Sequence, residues 1–253
     1  MLLTERQLEW ELMLDPAGRS GAANMAIDAS LLAEAAGAER AVLRLYRFDP
    51  PCLSLGRNEP TAQYDRAAMA RRGLDVVRRP TGGRAVWHEH DATYAVAAPI
   101  ATFGGLRAAY QAIHTRLAAA LRTLGVAATL APDRLRPPDR RGSCFAAPVG
   151  GEVLVEGRKV VGSAQVREGR AFLQHGSILL DGSQEVITAV SRKSQAASTE
   201  TTLARALGRP VTFEEVADAI VEAWGTGITS PNLYQPPPTS IALYSDPSWT
   251  WRR

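Results

Sequence analysis

Only two cysteines, Cys52 and Cys144, occur in 253 residues, and they stand in unrelated contexts. That scarcity excludes a disulfide framework, and a reducing cytoplasm is the expected compartment. No stretch approaches the roughly 18 uncharged apolar residues of a membrane span, so no membrane role is expected. The opening MLLTERQLEWELML carries acids early and lacks a continuous apolar run, which argues against a signal peptide. Neither GxxxxGK[ST] nor GxGxxG is present, so neither common nucleotide fingerprint applies. The cysteine and histidine spacings match no zinc pattern, and no metal is expected. A net charge of +3 is too small to imply nucleic acid by itself. What is present, 45% hydrophobic and 22% charged residues, is the balance of a folded chain long enough to bury a core.

Periodicity divides the chain. Trp10–Leu14 reads as a strand ended by the turn signal DPAGRSG. From Ser20 to Ala36, Ala23, Ile27, Leu31 and Ala35 share one helical face, and Gly37 supplies a stop. AVLRLYRF is expected as a strand with Val42, Leu45 and Phe48 inward and its arginines outward, and CLSLG as a second. A short helix is expected over about Thr61–Arg72. In Leu106–Leu124, Leu106, Tyr110, Ile113, Leu117 and Leu121 recur at three- and four-residue steps before Gly125, the pattern of an amphipathic helix. EVLVEGRKVVGSAQ is a hairpin by its Glu156-Gly157 turn, and AFLQHGSILL a further strand. Thr212 and Glu215 form a capping box, with Val211 and Val216 as a staple, so a helix runs from Phe213 to Trp224. Strands outnumber helices and hairpins outnumber βαβ crossovers, which predicts an α+β fold: a largely antiparallel β-sheet with packed helices.

Three places carry candidate chemistry. VVRRPTGGRAVWHEHDATYAV sets Arg78, Arg79 and Arg84 around Gly82 and Gly83. A bare glycine pair is an ordinary loose turn, yet it also lets a ligand lie against backbone amides, and the arginines favour something anionic. His88 is either a base or a packed core histidine. Cys144, in RRGSCFAAP, follows a loop carrying Arg134, Arg136, Arg140 and Arg141. A lone cysteine is more often inert than nucleophilic, but cations nearby raise the thiolate fraction. Cys52, in an apolar strand, is expected to pack. Lys159 is a solvated edge residue or, if it points inward, a buried amine able to shuttle a proton. Gly162, Ser163 and Ala164 beyond it are small and leave room for a ligand chain. His175 is either a hydrogen-bonded strand histidine or a polar pocket wall.

SGAANMAID, PPCLSLGRNE, RRPTGGRAVWHEHDATYAV and GRKVVGSAQVREGRAFLQHGSILL, in that order, resemble the biotin/lipoyl protein ligase superfamily on its lipoate side, over about Trp10 to Leu180. The CFAAP segment at Cys144–Pro148 resembles the cysteine-dependent octanoyltransferase branch. The resemblance implies a ligase-type catalytic domain over 1–228 and a proline-rich tail over 229–253. It further implies a Cys144–Lys159 dyad and a ping-pong reaction without ATP or other cofactor. An octanoyl group would pass from acyl carrier protein to Cys144, then to the lysine of a lipoyl domain or a glycine-cleavage H protein. Arg79, Thr81, Gly82, Gly83, His88, Gly162, Ser163, Ala164 and His175 are then the expected substrate-binding residues, with the arginines receiving an acidic carrier protein and backbone amides stabilising the oxyanion. Ala95 departs from the serine often found there. About ten residues precede the first core strand, too few for a helix-turn-helix, so no nucleic-acid partner is expected. The alternatives are an ATP-dependent lipoate–protein ligase, an amidotransferase between lipoyl domains, and a non-catalytic module that binds carrier proteins.

Overall fold

Alternation along the central strands requires two buried faces. In β2 (Ala41–Phe48), Leu43 and Leu45 belong to one apolar cluster, while Val42 and Tyr46 belong to another. The computed structural model describes residues 10–37, 40–132, 144–145, 149–192, 200–225, 228–229 and 235–252, and it shows helices covering both sides. The chain runs β1 (Trp10–Arg19), α1 (Gly21–Gly37), β2, β3 (Cys52–Leu55), α2 (Arg66–Arg71), β4 (Asp75–Arg78), β5 (Val86–His88) and β6 (Asp91–Pro99). It continues with α3 (Leu106–Thr123), β7 (Ala128–Leu130), β8 (Val153–Val155), β9 (Arg158–Lys159), β10 (Val161–Glu168) and β11 (Ala171–Leu179). The described remainder is α4 (Glu185–Ala189), α5 (Leu203–Leu207), α6 (Phe213–Trp224), β12 (Ile228–Thr229), α7 (Pro238–Ser245) and α8 (Pro247–Thr250).

The main sheet has six strands in the order β10-β11-β6-β2-β1-β12. Its pairings are antiparallel except those of β1 with β2 and β12. Two three-stranded sheets, β4-β3-β5 and β7-β8-β9, complete the α+β architecture. On one face α3 and α6 pack through Ile113, Leu117, Leu121, Val216 and Ile220. On the other lies α1, itself covered by α7, which is why α1 is apolar nearly all round and buries Met25, Ile27, Leu31 and Leu32. The capping box forms as expected: Glu215 N donates to Thr212 Oγ1 at 3.2 Å, and Thr212 N donates to Glu215 Oε2 at 2.9 Å.

Several expectations need correction. DPAGRS is not a turn that ends β1; the strand continues to Arg19 through a register break between Asp15 and Arg19. Asp15 closes that irregularity by accepting from Arg19 Nε at 2.6 Å. Arg44 does not point outward. It is fully buried beneath α1, donating to Asp28 Oδ1 at 2.9 Å and Asn24 Oδ1 at 2.7 Å. Strands β4 and β5, on either side of the loose turn expected at the glycine pair, both pair with β3, β4 parallel and β5 antiparallel. The expected helix over 61–72 is a 3₁₀ turn at Thr61–Gln63 followed by α2. Within the C-terminal segment, α7 lies on α1 and α8 on β4, where the Thr250 carbonyl accepts from Arg78 Nε at 2.9 Å.

Candidate active site

The β8–β9 turn determines where Lys159 goes. Glu156 and Gly157 take φ values of 52° and 74°, the left-handed pair that closes a tight hairpin. The register places Leu154 opposite Lys159, so the lysine side chain enters the same layer as Glu152, two residues further back. Lys159 is 2% exposed, so the solvated-edge alternative does not hold. Its Nζ donates to Glu152 Oε1 at 2.5 Å, to the Cys144 carbonyl at 2.8 Å and to Cys144 Sγ at 3.8 Å. An ammonium has three N–H donors, and each here has an acceptor. The Phe145 ring lies 5.4 Å from the same nitrogen. Cys144 is held by its own amide, which donates to the Ala85 carbonyl at 3.1 Å. That amide is therefore not available to an oxyanion. The arginine-rich loop at 134–141 and the rest of CFAAP at 146–148 lie outside the described residues.

Beside the sulfur opens a cavity of about 330 Å³, counting its open mouth, whose exposed lining is mostly apolar. Its walls include Cys144, Gly162, Ser163, Ala164, His88 and His175. Many of these are polar side chains, and the walls are apolar only because the polar atoms are engaged with one another. Asp91 Oδ2 takes His88 Nδ1 at 2.7 Å, Thr93 Oγ1 at 3.1 Å and Ser177 Oγ at 2.6 Å. His88 Nε2 meets the Ser54 hydroxyl at 2.8 Å, and its ring stacks on Phe48 at 4.0 Å. Behind the opposite wall, His175 Nδ1 donates to Asp28 Oδ2 at 2.7 Å and Nε2 meets Thr81 Oγ1 at 2.6 Å. Burial lowers the His175 pKa below its usual value, so the ring is neutral and the Thr81 hydroxyl donates to Nε2. Neither imidazole has a free nitrogen to offer the cavity.

Ser163 heads a further chain. Its Oγ lies 2.7 Å from Tyr94 OH and 2.8 Å from His114 Nε2. His114 Nδ1 must donate to the Gly151 carbonyl, 2.7 Å away, so Nε2 is the acceptor and the Ser163 hydroxyl points at it. Burial pushes the His114 pKa down to about 4, with the Lys159 charge adding to the effect, so this relay is uncharged.

The glycine-pair loop is built differently from its expectation. Gly82 and Gly83 are not among the cavity walls. Gly83 is needed for its φ of 89°, and a Cβ on Gly82 would face open space. The tight approach is at Gly56, where a Cβ would stand 2.0 Å from the Gly83 carbonyl oxygen. Arg78 and Arg79 are buried and form no exposed receiving surface, though Arg79 stands in the cavity wall. Arg79 donates to the carbonyls of Ser54, Gly82 and Arg84 at 2.7, 3.0 and 2.9 Å. Arg78 donates to those of Gly56 and Glu59 at 2.5 and 3.0 Å. These guanidiniums fasten the loop. Cys52 is buried as expected, and burial pushes its thiol pKa well up.

Sequence reasoning passed over Glu152, His114, Tyr94 and Asp28. Glu152 could have been found from the hairpin register, which sets it diagonally from Lys159 on one face. The other three gave no local signal. Among the described residues, no group of three or more His, Cys, Asp or Glu could hold a metal ion.

A family model for the lipoyl protein ligase A/B catalytic domain matches residues 20–225. The chain belongs to that family. Octanoyltransferase LipM of Kyrpidia tusciae is 38% identical over 240 residues, covering 87% of this chain and 87% of that protein. Octanoyltransferase LipM of Moorella thermoacetica is 38% identical over 232 residues, covering 88% and 83%. Among solved structures, lipoate-protein ligase A bound with ATP aligns with a TM-score of 0.77 at 19% identity, over 96% of this chain and 98% of that one. The T. acidophilum putative lipoate protein ligase with bound lipoic acid aligns at 0.76 and 18%, over 96% and 98%. At such identities the family likeness in structure is one of fold.

Proposed function

We propose that the chain is an octanoyltransferase of protein lipoylation, with Cys144 as the acyl-carrying nucleophile and Lys159 as its cationic partner. The observation that carries this reading is the Lys159 ammonium 3.8 Å from the Cys144 sulfur, at the wall of an apolar cavity. A cation beside a sulfur favours its negative form, the nucleophilic one. The sulfur attacks the thioester carbonyl of an octanoyl donor, forming a new C–S bond as the donor's C–S bond breaks. The proton given up by Cys144 leaves on the donor's thiol. Thioester is exchanged for thioester, so this half needs no ATP. The lysine amine of a lipoyl domain then attacks the octanoyl-Cys144 carbonyl, and an amide forms as Cys144 regains its proton. The donor is octanoyl-acyl carrier protein and the acceptor a lipoyl domain or a glycine-cleavage H protein.

The cavity wall of Gly162 and Ala164 gives the octanoyl chain a smooth surface, and each buried CH₂ contributes about 0.8 kcal/mol. A Cβ on Gly162 would stand 2.8 Å from Phe145 Cζ and 3.3 Å from Cys144 Sγ, so only glycine fits behind the nucleophile. His88 and His175, with their nitrogens engaged, act as walls rather than as bases. The catalytic unit spans 1–228, with 229–253 as a proline-rich C-terminal segment whose helices pack on it, and the enzyme works in the cytoplasm. No described helix is long and apolar enough to cross a membrane.

The test supplies purified protein with octanoyl-acyl carrier protein and a lipoyl domain, without ATP. Octanoylation of the domain is expected with the native chain and not with Cys144→Ala. Modification that requires ATP and survives Cys144→Ala would instead make the chain a ligase.

A further inference from the structure

Glu152 is a buried carboxylate with both oxygens committed. Oε1 accepts from Lys159 Nζ at 2.5 Å and Oε2 from the Val149 amide at 2.8 Å, while the side chain is 4% exposed. It therefore joins the start of β8 to the segment that follows Cys144 and, through the ammonium, to the cysteine itself. A lysine side chain gives up rotamer freedom when it is fixed, so it stays on one partner only where several bonds hold it. Without the carboxylate, only the Cys144 carbonyl and the sulfur would hold Nζ in place.

The charges favour the same role. Thiol, ammonium and carboxylate sum to zero, and loss of the thiol proton would leave a net negative charge in a buried site. The titratable and charged groups facing Glu152 are Lys159, Arg84 from the glycine loop, Tyr110 from α3 and Tyr94 from β6, while Cys144 and His114 from α3 face its partner Lys159. Burial keeps His114 neutral and pushes the Tyr94 and Tyr110 phenols up, so the cations on hand are Lys159 and Arg84. Burial also raises the Glu152 carboxyl above its ordinary value, against the pull of Lys159. A proton leaving Cys144 can then be balanced within the trio: Nζ gains it while passing one of its own to Oε1, which leaves thiolate, ammonium and carboxylic acid. The reverse shift returns a proton to the departing donor thiol.

We propose that Glu152 is a positioning residue of the transfer, which holds the Lys159 ammonium on the Cys144 sulfur and governs the pH at which that sulfur reacts. The inference rests on the transferase reading for its consequence, and its first test does not need that reading. Both carboxylate oxygens accept, so an amide must turn its NH₂ toward one of two donors, and glutamine is not a neutral copy here.

The first measurement is the pH dependence of Cys144 alkylation by iodoacetamide in the full chain, followed by peptide mass. Releasing the ammonium from its anchor in Glu152→Gln should move the midpoint to higher pH by about one unit. A midpoint that stays, or moves down, overturns the proposal. The second is single-turnover octanoyl uptake from octanoyl-acyl carrier protein. Glu152→Asp keeps the charge but shortens the reach. Its uptake should fall about tenfold with the KM for the donor within about twofold, because the residue does not touch substrate. Uptake at the native rate would overturn the positioning role even if the glutamine variant does not fold. If the native chain takes up no octanoyl group while the alkylation midpoint still shifts, the transferase reading fails and the Glu152 assignment stands.

Discussion

Two regions of this molecule place cations around a turn, and they use them in opposite ways. In the glycine-pair loop, Arg78 and Arg79 donate chiefly to backbone carbonyls, among them those of Gly56, Ser54, Gly82 and Thr250. At the β8–β9 hairpin, Lys159 divides its donors between one carbonyl, one carboxylate and one sulfur. A cation that faces carbonyls holds chain to chain. A cation that faces a sulfur and a carboxylate, both able to change protonation, can take part in proton transfer. The arginine loop is a frame, whereas the hairpin sets a cation beside a sulfur.

The largest effect should come from breaking the second region. Lys159→Met removes the ammonium with little loss of volume, and octanoyl transfer in a steady-state assay should fall by about 10² to 10⁴-fold. The variant also leaves Glu152 buried without its partner, so a loss of about 3–5 kcal/mol in urea unfolding is expected alongside. Breaking the first region should do the reverse. Arg79→Met strips donors from three carbonyls and the Ser54 hydroxyl, which should lower stability by roughly 3 kcal/mol or more. The pH profile of Cys144 alkylation in the surviving folded protein should not move. A shifted profile with native stability would reverse the two assignments.

His114 sharpens the contrast as a buried group kept neutral. Its folded pKa of about 4 lies below its ordinary 6.5, so the unfolded chain binds the proton more readily between those values. The stability it contributes is therefore complete above pH 6.5 and is lost as pH falls through 4, on the order of 3 kcal/mol in all. Urea titrations at pH 7 and near pH 4 should show that fall, and His114→Gln should flatten it.

Legibility in the sequence followed the range of the interaction. The helix faces of α3 and α6, the capping box and the Glu156-Gly157 turn are local patterns, and each formed where its residues implied. The continuation of β1 through DPAGRS was hidden because an Asp15–Arg19 contact turns an apparent turn signal into an irregular strand. Arg44 looked exposed because its partner Asp28 lies on α1, a helix away in sequence. Of the site, Cys144 and Lys159 stood out by residue type and motif, and the structure brings them together. The walls at Gly162, Ser163 and Ala164 were legible from their small size. Glu152, the first residue of the stretch read as a hairpin, acquires its meaning only once the hairpin register is known.

The central claim is that Cys144 itself carries the acyl group. Intact-mass analysis of the full chain after exposure to octanoyl-acyl carrier protein, with ATP left out, tests it directly. The account predicts a gain of one octanoyl mass, mapped to the Cys144 peptide and released by hydroxylamine. An unmodified chain that nevertheless octanoylates a lipoyl domain, or an adduct elsewhere that hydroxylamine does not remove, would contradict it.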